Sequence, residues 1–260
     1  MGYITKKNKE EVALMAEGGR ILSDTLRQVV QKAVAGAQTA ELDQFATEEL
    51  RRQGAEPSFL NYKPAGERTA YPCSLCVSIN QEVVHGLALP NRTLKECDIV
   101  SLDIGAKYKG LYTDMAVTVF LGKHSKEVKK LISVTREALR RAVKVVKPGN
   151  NYSDIGRVIE SYVSKYKLGI VRDLVGHGVG YAVHESPRVP NYEDPSMVKV
   201  PFEPGMCFAI EPMITMGDYK VNTLGDGWTI VTADNSLSAH AEVTVGVTER
   251  GHQVLTPFID

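Results

Sequence analysis

SLDIGAKYKGLYTDMAV, residues 101–117, places two strand-like arms around a short polar centre, with one aspartate in each arm. β-branched, aromatic and small residues on either side favour a hairpin over a helix. Closing it on Tyr108-Lys109 pairs Lys107 with Gly110, Gly105 with Tyr112 and Asp103 with Asp114. Opposed residues share a face, with Cβ atoms ~4.5–5.5 Å apart. Two carboxylates so placed repel each other, and partial burial penalises each charge further. Either one carboxyl keeps a proton or a cation sits between them. A one-residue slip would instead turn one aspartate to solvent.

The hairpin closes the first of two copies of one plan. Residues 9–35 read as a helix with Val12, Met15, Leu22, Leu26 and Val29 at helical spacing, stopped by Gly36. Thr39 caps a second helix with Leu42, Phe45, Ala46 and Leu50 on its inner stripe. Strand-like runs SLCVSI, DIVSLDIGAKY and LYTDMAVTVFLG follow. A helix over 126–146, ending at Pro148-Gly149, then restarts the series; a helix near Ser153 and the runs IVRDLVG, MCFAIEPMI, WTIVTA and SAHAEVTVGVT complete it. A shift of 113 residues lays Ile21 on Val134, Leu26 on Leu139, Gly36 on Gly149, Leu42 on Ile155 and Leu50 on Val163. The pattern predicts an α+β chain: one domain over 1–260, its halves (about 1–123 and 124–260) related by a pseudo-twofold, with helices packed on a central antiparallel sheet.

The 260 residues carry 31 basic and 31 acidic side chains, which removes the electrostatic reason to expect nucleic acid or an anionic membrane as the main ligand. Nothing in the opening MGYITKKNKE reads as a secretory signal and no run is apolar enough to span a bilayer. Four cysteines in this length are no disulfide framework, so a cytoplasmic location is expected. Cys73 and Cys76 form a lone CxxC, read as small residues near a turn rather than as a metal or redox pair.

Further polar residues stand in apolar settings. Glu211 lies inside MCFAIEPMI and Glu242 inside SAHAEVTVGVT, with no Lys or Arg in either run. Glutamate is depleted in strands and rarely buried alone. GHGVGYAVHESP, residues 176–187, holds His177 and His184 seven residues apart. Its glycines argue against a helix, and on one straight strand the rings would face opposite ways. Either one is incidental or the chain bends between them. Four carboxylates with His177 make an oxygen-rich set with one nitrogen, suited to two divalent ions. Two ions ~3.5–4 Å apart can activate water and stabilise the oxyanion of a hydrolysed carbonyl.

Asp103, Asp114, His177, Glu211 and Glu242, in the contexts SLDIGA, YTDMAV, GHGVG, AIEPM and SAHAEVTV, resemble the metal-ligand set of the type I methionine aminopeptidases. VVHG at His85, HESP at His184 and DGWT at Trp228 extend the match over nearly the whole chain. The resemblance implies the pita-bread fold and a monomeric cytoplasmic hydrolase. Its substrates would be the N-termini of nascent chains, from which it removes the initiator methionine when the second residue is small, in transient association with the ribosome. It implies Asp114 and Glu242 bridging two ions (Co, Mn, Fe or Zn), with Asp103 on one and His177 and Glu211 on the other. A bridging water or hydroxide would attack; Glu211 would shuttle its proton. His184 would steady the tetrahedral intermediate, and His85 would lie near the new amino group. Tyr62, Tyr71, Cys76 and Trp228 match the methionine pocket. Asn80, Glu82 and Ser238 match a monovalent-cation (Na or K) site of some members. Because the chain begins Met1-Gly2, it is itself an expected substrate.

Two departures stand out. The histidine that follows the last ligand in the family is Val243 here, and the loop KPAGERTA between Tyr62 and Tyr71 is longer than in simple bacterial forms. Alternative readings are a proline-specific aminopeptidase or dipeptidase on the same fold, which usually carries a large N-terminal domain, and a catalytically inactive binding protein on this fold.

Overall fold

The computed structural model describes residues 2–64, 66, 69–197 and 199–259. Met1, and three residues of the loop between Tyr62 and Tyr71, lie outside them, so the expectation about Met1 and much of that about the loop concern residues that are not described. The first half runs α1 (Lys9–Lys32), α2 (Thr39–Arg52), β1 (Glu56–Pro57), β2 (Leu75–Ile79), β3 (Glu82–Val84), β4 (Ile99–Tyr108) and β5 (Leu111–Phe120). The second runs α3 (Lys126–Lys144), α4 (Tyr152–Val163), β6 (Gly169–Ile170), β7 (Gly176–Gly178), β8 (Glu185–Val189), β9 (Cys207–Ile210) and β10 (Met213–Thr215). It ends with β11 (Val221–Thr223), β12 (Ile230–Thr232), β13 (Ser238–His240), β14 (Glu242–Thr248) and β15 (Gly251–Val254).

Local chemistry sets the helix ends. Asn8 and Glu11 form a reciprocal capping box at the start of α1, and Asn151 and Asp154 do the same for α4. Thr39 is not the cap of α2: Gln38 holds that position without a side-chain bond, and the Thr39 hydroxyl donates instead to Leu89 O at 2.9 Å. α2 and α4 start at Thr39 and Tyr152, positions that the 113-residue shift superimposes. The turns before them use Gly36 and Gly149 at φ +94° and +92°. Each helix pair buries its stripe in its own core, Leu22, Leu26, Leu42 and Leu50 in one and Leu131, Leu139, Ile155 and Ile159 in the other. Full burial of each such side chain contributes roughly 1.5–3 kcal/mol.

Both cores lie against a nine-stranded antiparallel sheet, ordered β1-β4-β5-β14-β9-β7-β8 with β15 on β14 and β2 on β4. The β4–β5 turn falls on Lys109-Gly110, not Tyr108-Lys109. Its φ values are +47° and +87°, and a glycine takes the second at no steric cost where a bulky Tyr-Lys turn would be strained. The register therefore sets Gly105 opposite Asp114 and Asp103 opposite Ala116. This shift of two preserves the face, so both aspartates still share it, as diagonal neighbours rather than as an opposed pair.

Three expected strands are interrupted. IVRDLVG is strand only at its ends, around the polar Arg172-Asp173. MCFAIEPMI breaks at Glu211-Pro212, where Pro212 has no N–H for a ladder. SAHAEVTVGVT breaks at Ala241. Among the described residues no helix is long and apolar enough to cross a membrane.

Candidate active site

The breaks at Glu211 and Ala241 face each other. Val243 pairs with Ile210 on one side of them and His240 with Met213 on the other, so one register runs through and brings Glu211 opposite Glu242. Glu242 also pairs with Ala116, Ala116 with Asp103, and Asp103 with Cys76. Cys76, Asp103, Ala116, Glu242 and Glu211 thus form one row across the sheet. The adjacent row on the same face holds Gly105 and Asp114; continuing the β7–β9 pairing from Gly178 and Phe208 brings His177 beside Ala209. The residues between the carboxylates are small, which leaves the face open above them.

β7 and β8 form a hairpin whose loop, 179–184, turns His184 back over His177; the ring centroids are 4.3 Å apart. The glycine-rich run does bend, and both rings point into one space. Glu185 pins the loop: its carboxylate accepts the N–H groups of Tyr181 and Ala182 and a 2.7 Å bond from the buried Lys7 ammonium. His177 Nδ1 lies 2.9 Å from Gly178 O, which fits an Nδ1–H donor and leaves Nε2 facing Glu211 at 3.5 Å and Asp114 at 4.0 Å. His85 adopts φ +58° at the end of β3. The next residue must be Gly86, since a Cβ there would lie 2.3 Å from Val77 O, and this tight turn aims the imidazole at the same space.

One cavity, with about 90 Å³ of free volume, is lined by all five ligand candidates and by His85, His184, Tyr62, Tyr71, Cys76 and Trp228. Its apolar end is ordered. Tyr71 and Trp228 meet edge-on at 5.2 Å, Tyr71 Oη donates to Gly86 O at 3.0 Å, and the Asp226 carboxylate holds the Trp228 turn by accepting its N–H. Tyr62 Oη and His184 Nδ1 are hydrogen-bonded at 2.8 Å. Burial and then the Asp103 charge push the Cys76 thiol well up, consistent with a wall residue rather than a nucleophile. Cys73 is buried with its Sγ against Ala88 O.

Burial dominates the electrostatics. It pushes the Asp103 carboxyl up to about 7. Asp114, Glu211 and Glu242 are raised further, each by burial first, Asp114 and Glu211 then by the Asp103 charge and Glu242 by the charges of Asp114, Glu211 and Asp103. Burial lowers His177 to about 3 and His85 to about 4. Such clustered carboxylates need a counter-charge to ionise together. Asp103 Oδ1, Asp114 Oδ1 and Glu242 Oε1 are buried without hydrogen-bond partners among the described residues. Asp114, His177 and Glu242 offer donor atoms all within 4.8 Å of one another, as do Asp103, His240 and Glu242. Orphaned oxygens arranged in two groups that share Glu242 fit a pair of divalent cations.

The Asn80, Glu82 and Ser238 group is arranged differently. Both Glu82 carboxylate oxygens accept from Arg92, at 2.7 and 2.6 Å, and Asn80 Oδ1 accepts the Ile99 N–H. Only Ser238 Oγ in that group is buried without a partner. Val243 lies on the opposite face from Glu242, as the next residue on a strand must, so the missing family histidine leaves this cavity unchanged. The reading of the sequence missed three residues. Phe59 and Pro64 line the cavity but precede any motif. His240 was overlooked although its position two residues before Glu242 is the spacing of one strand face.

Residues 13–249 match the model of metallopeptidase family M24. The chain is 42% identical over 251 residues to methionine aminopeptidase 1 of Bacillus subtilis, covering 96% of this chain and 98% of that one. The crystal structure of the methionine aminopeptidase of Thermotoga maritima superposes with a TM-score of 0.92 at 40% identity, covering 98% of this chain and all of that one. The prolidase of Pyrococcus horikoshii superposes at 0.76 with 20% identity over 64% of its own length, a likeness of fold alone. The architecture is the pita-bread fold these structures share.

Proposed function

Since the chain belongs to metallopeptidase family M24, we propose that it is a methionine aminopeptidase, a metal-dependent hydrolase that removes the N-terminal methionine of newly made proteins when the second residue is small. The observation that carries this reading is the convergence of Asp103, Asp114, His177, Glu211 and Glu242 on one cavity with an aromatic and cysteine wall. The proline-specific alternative is not favoured: its structures share the fold at low identity, and the relatives at about 40% are methionine aminopeptidases. The retained donor set argues against an inactive scaffold.

The five side chains would hold two divalent ions, drawn from Co, Mn, Fe or Zn. When bound, the ions supply Lewis acidity that polarises the scissile carbonyl and acidifies water. The chain does the rest. Tyr62, Tyr71, Cys76, Trp228 and Phe59 enclose the methionine side chain; its burial is worth roughly 1.5–3 kcal/mol and thioether–aromatic contact ~0.3–1.5 more. Glu211, whose raised proton affinity suits a base, takes a proton from the attacking water and passes it to the leaving amine. Tyr62, donating to His184 Nδ1, fixes the tautomer that presents Nε2–H to the carbonyl oxygen as it becomes an oxyanion. His85 orients the substrate's amino end.

One domain built of two related halves, about 1–123 and 124–260, supplies the site, and a single chain completes the lining, which supports a monomer. Free cysteines, three of them buried, suit the cytoplasm. A Na or K ion at Asn80, Glu82 and Ser238 would rest on neutral oxygens, because Arg92 already balances Glu82. The test is a peptide panel on chelator-stripped protein. Restoring Co(II) or Mn(II) should restore cleavage of Met-Ala-Ser and not of Xaa-Pro-Xaa; cleavage of Xaa-Pro alone, or of neither, overturns the reading.

A further inference from the structure

Behind the carboxylates of the cavity lies an imidazole that the five-ligand scheme leaves unused. His240 closes β13, opposite Met213 and two residues before Glu242. It is 1% exposed, and neither ring nitrogen has a hydrogen-bond partner among the described residues. His177, His184, His124 and His252 each have one. A buried imidazole without partners forfeits the hydrogen bonds it would make with water, so its presence asks for a ligand.

The geometry names that ligand. His240 Nε2 lies 3.8 Å from Glu211 Oε2 and 3.8 Å from Glu242 Oε2. Both distances exceed an N–H···O hydrogen bond of about 2.7–3.2 Å. The distance to Glu242 matches two donors of one cation: with bonds of ~2.0–2.2 Å and an angle between tetrahedral and ~130°, donor atoms stand roughly 3.3–4.0 Å apart. Asp103, His240 and Glu242 offer three such atoms within 4.8 Å, and Asp114, His177 and Glu242 offer the other three.

We infer that His240 is a sixth ligand of the site, giving the cation on Asp103 a nitrogen donor just as His177 gives one to its neighbour. This rests on the reading that the cavity holds two divalent ions. Without His240 the Asp103 position is all oxygen and suits Mg or Mn; with it, that position favours Co, Fe or Zn.

The test is cobalt binding by the native chain and by His240→Gln, with stoichiometry and affinity from titration calorimetry. Proton NMR of the Co(II)-loaded protein gives a second readout, since each coordinated imidazole contributes one exchangeable, strongly shifted N–H signal. The native protein should bind two ions and show two such signals. His240→Gln should keep one signal and bind one ion normally and the other at least tenfold more weakly. Two ions with a single shifted signal in the native protein, or unchanged affinities in a folded His240→Gln, overturn the inference and leave the functional reading intact. If His240→Gln fails to fold, the native spectrum decides alone. A native chain that binds no cobalt overturns both.

Discussion

Stripping the divalent ions and raising the pH from 6.5 to 8 is expected to destabilise this protein. Burial moves the Asp103 carboxyl from its ordinary 3.8 to about 7, and Asp114, Glu211 and Glu242 are also raised. A carboxyl with a raised folded value keeps a proton that the unfolded chain has released, so stability falls as pH rises between the two values. For Asp103 the whole interval is worth on the order of 4 kcal/mol. The imidazoles act in the opposite sense. His177 and His240 are lowered by burial to about 3 and His85 to about 4, so they add stability as pH rises, an effect that fades through the unfolded value of 6.5 and is spent about one pH unit above it. The two effects oppose each other up to that point, and only the carboxyls act above it. A group titrating near 7 is about three-quarters protonated at pH 6.5, so Asp103 alone contributes an initial slope of roughly 1 kcal/mol lost per pH unit, and the other raised carboxyls add to the loss and outweigh the fading imidazole gain. Urea unfolding in chelator at pH 6.5, 7.0, 7.5 and 8.0, repeated with saturating Co(II) or Mn(II), measures it. The midpoint should fall with pH in chelator and hold steady with the ion, which replaces the protons. Asp103→Asn should flatten the fall. A chelated protein whose stability is level or rising across this window refutes the reasoning.

Asp114→Asn removes a charge from the proposed metal site and should cut metal-dependent Met-Ala-Ser cleavage by about 10³ or more; metal analysis after dialysis should show less than the native content. Tyr62→Phe deletes the hydrogen bond to His184 Nδ1 and should lower kcat about 3–10-fold with little change in KM or circular dichroism, as a single neutral hydrogen bond predicts. Trp228→Ala opens the pocket wall beside Tyr71 and should raise KM for Met-Ala-Ser up to about tenfold, with a smaller effect on kcat.

Facing, rather than exact pairing, was the part of the site legible from sequence. The expected hairpin register was wrong by two residues, yet Asp103 and Asp114 share a face because side-chain direction repeats every two residues. The turn falls one residue later than the arms suggest because its two central positions take positive φ, which Gly110 adopts without steric cost. Helix starts were read to within a residue, since capping chemistry is local; the break at Pro212 was missed although proline's lack of an N–H announces it.

His240 shows why the remainder was hidden. Glu211 and Glu242 drew attention because a carboxylate inside an apolar strand run is costly on its face. A neutral imidazole in SAHAEV carries no such penalty, and its meaning depends on which partners reach it. Those partners come from a different strand: Glu211 meets Glu242 and His240 only because two interrupted strands keep one register across their breaks. An interruption in a hydrophobic run therefore reads two ways, as the end of an element or as the point where a continuous ladder opens to place side chains over a face. Here the second holds. Glu211-Pro212 and Ala241 break the ladder at the same level, and donors from both sides of each break converge there. The same logic predicts that Ala241→Pro, which removes the N–H donated to Pro212 O without touching a donor side chain, should weaken metal binding along with stability. Unchanged cobalt affinity in a folded Ala241→Pro would show that the ligands are held by their own strands and not by the shared register.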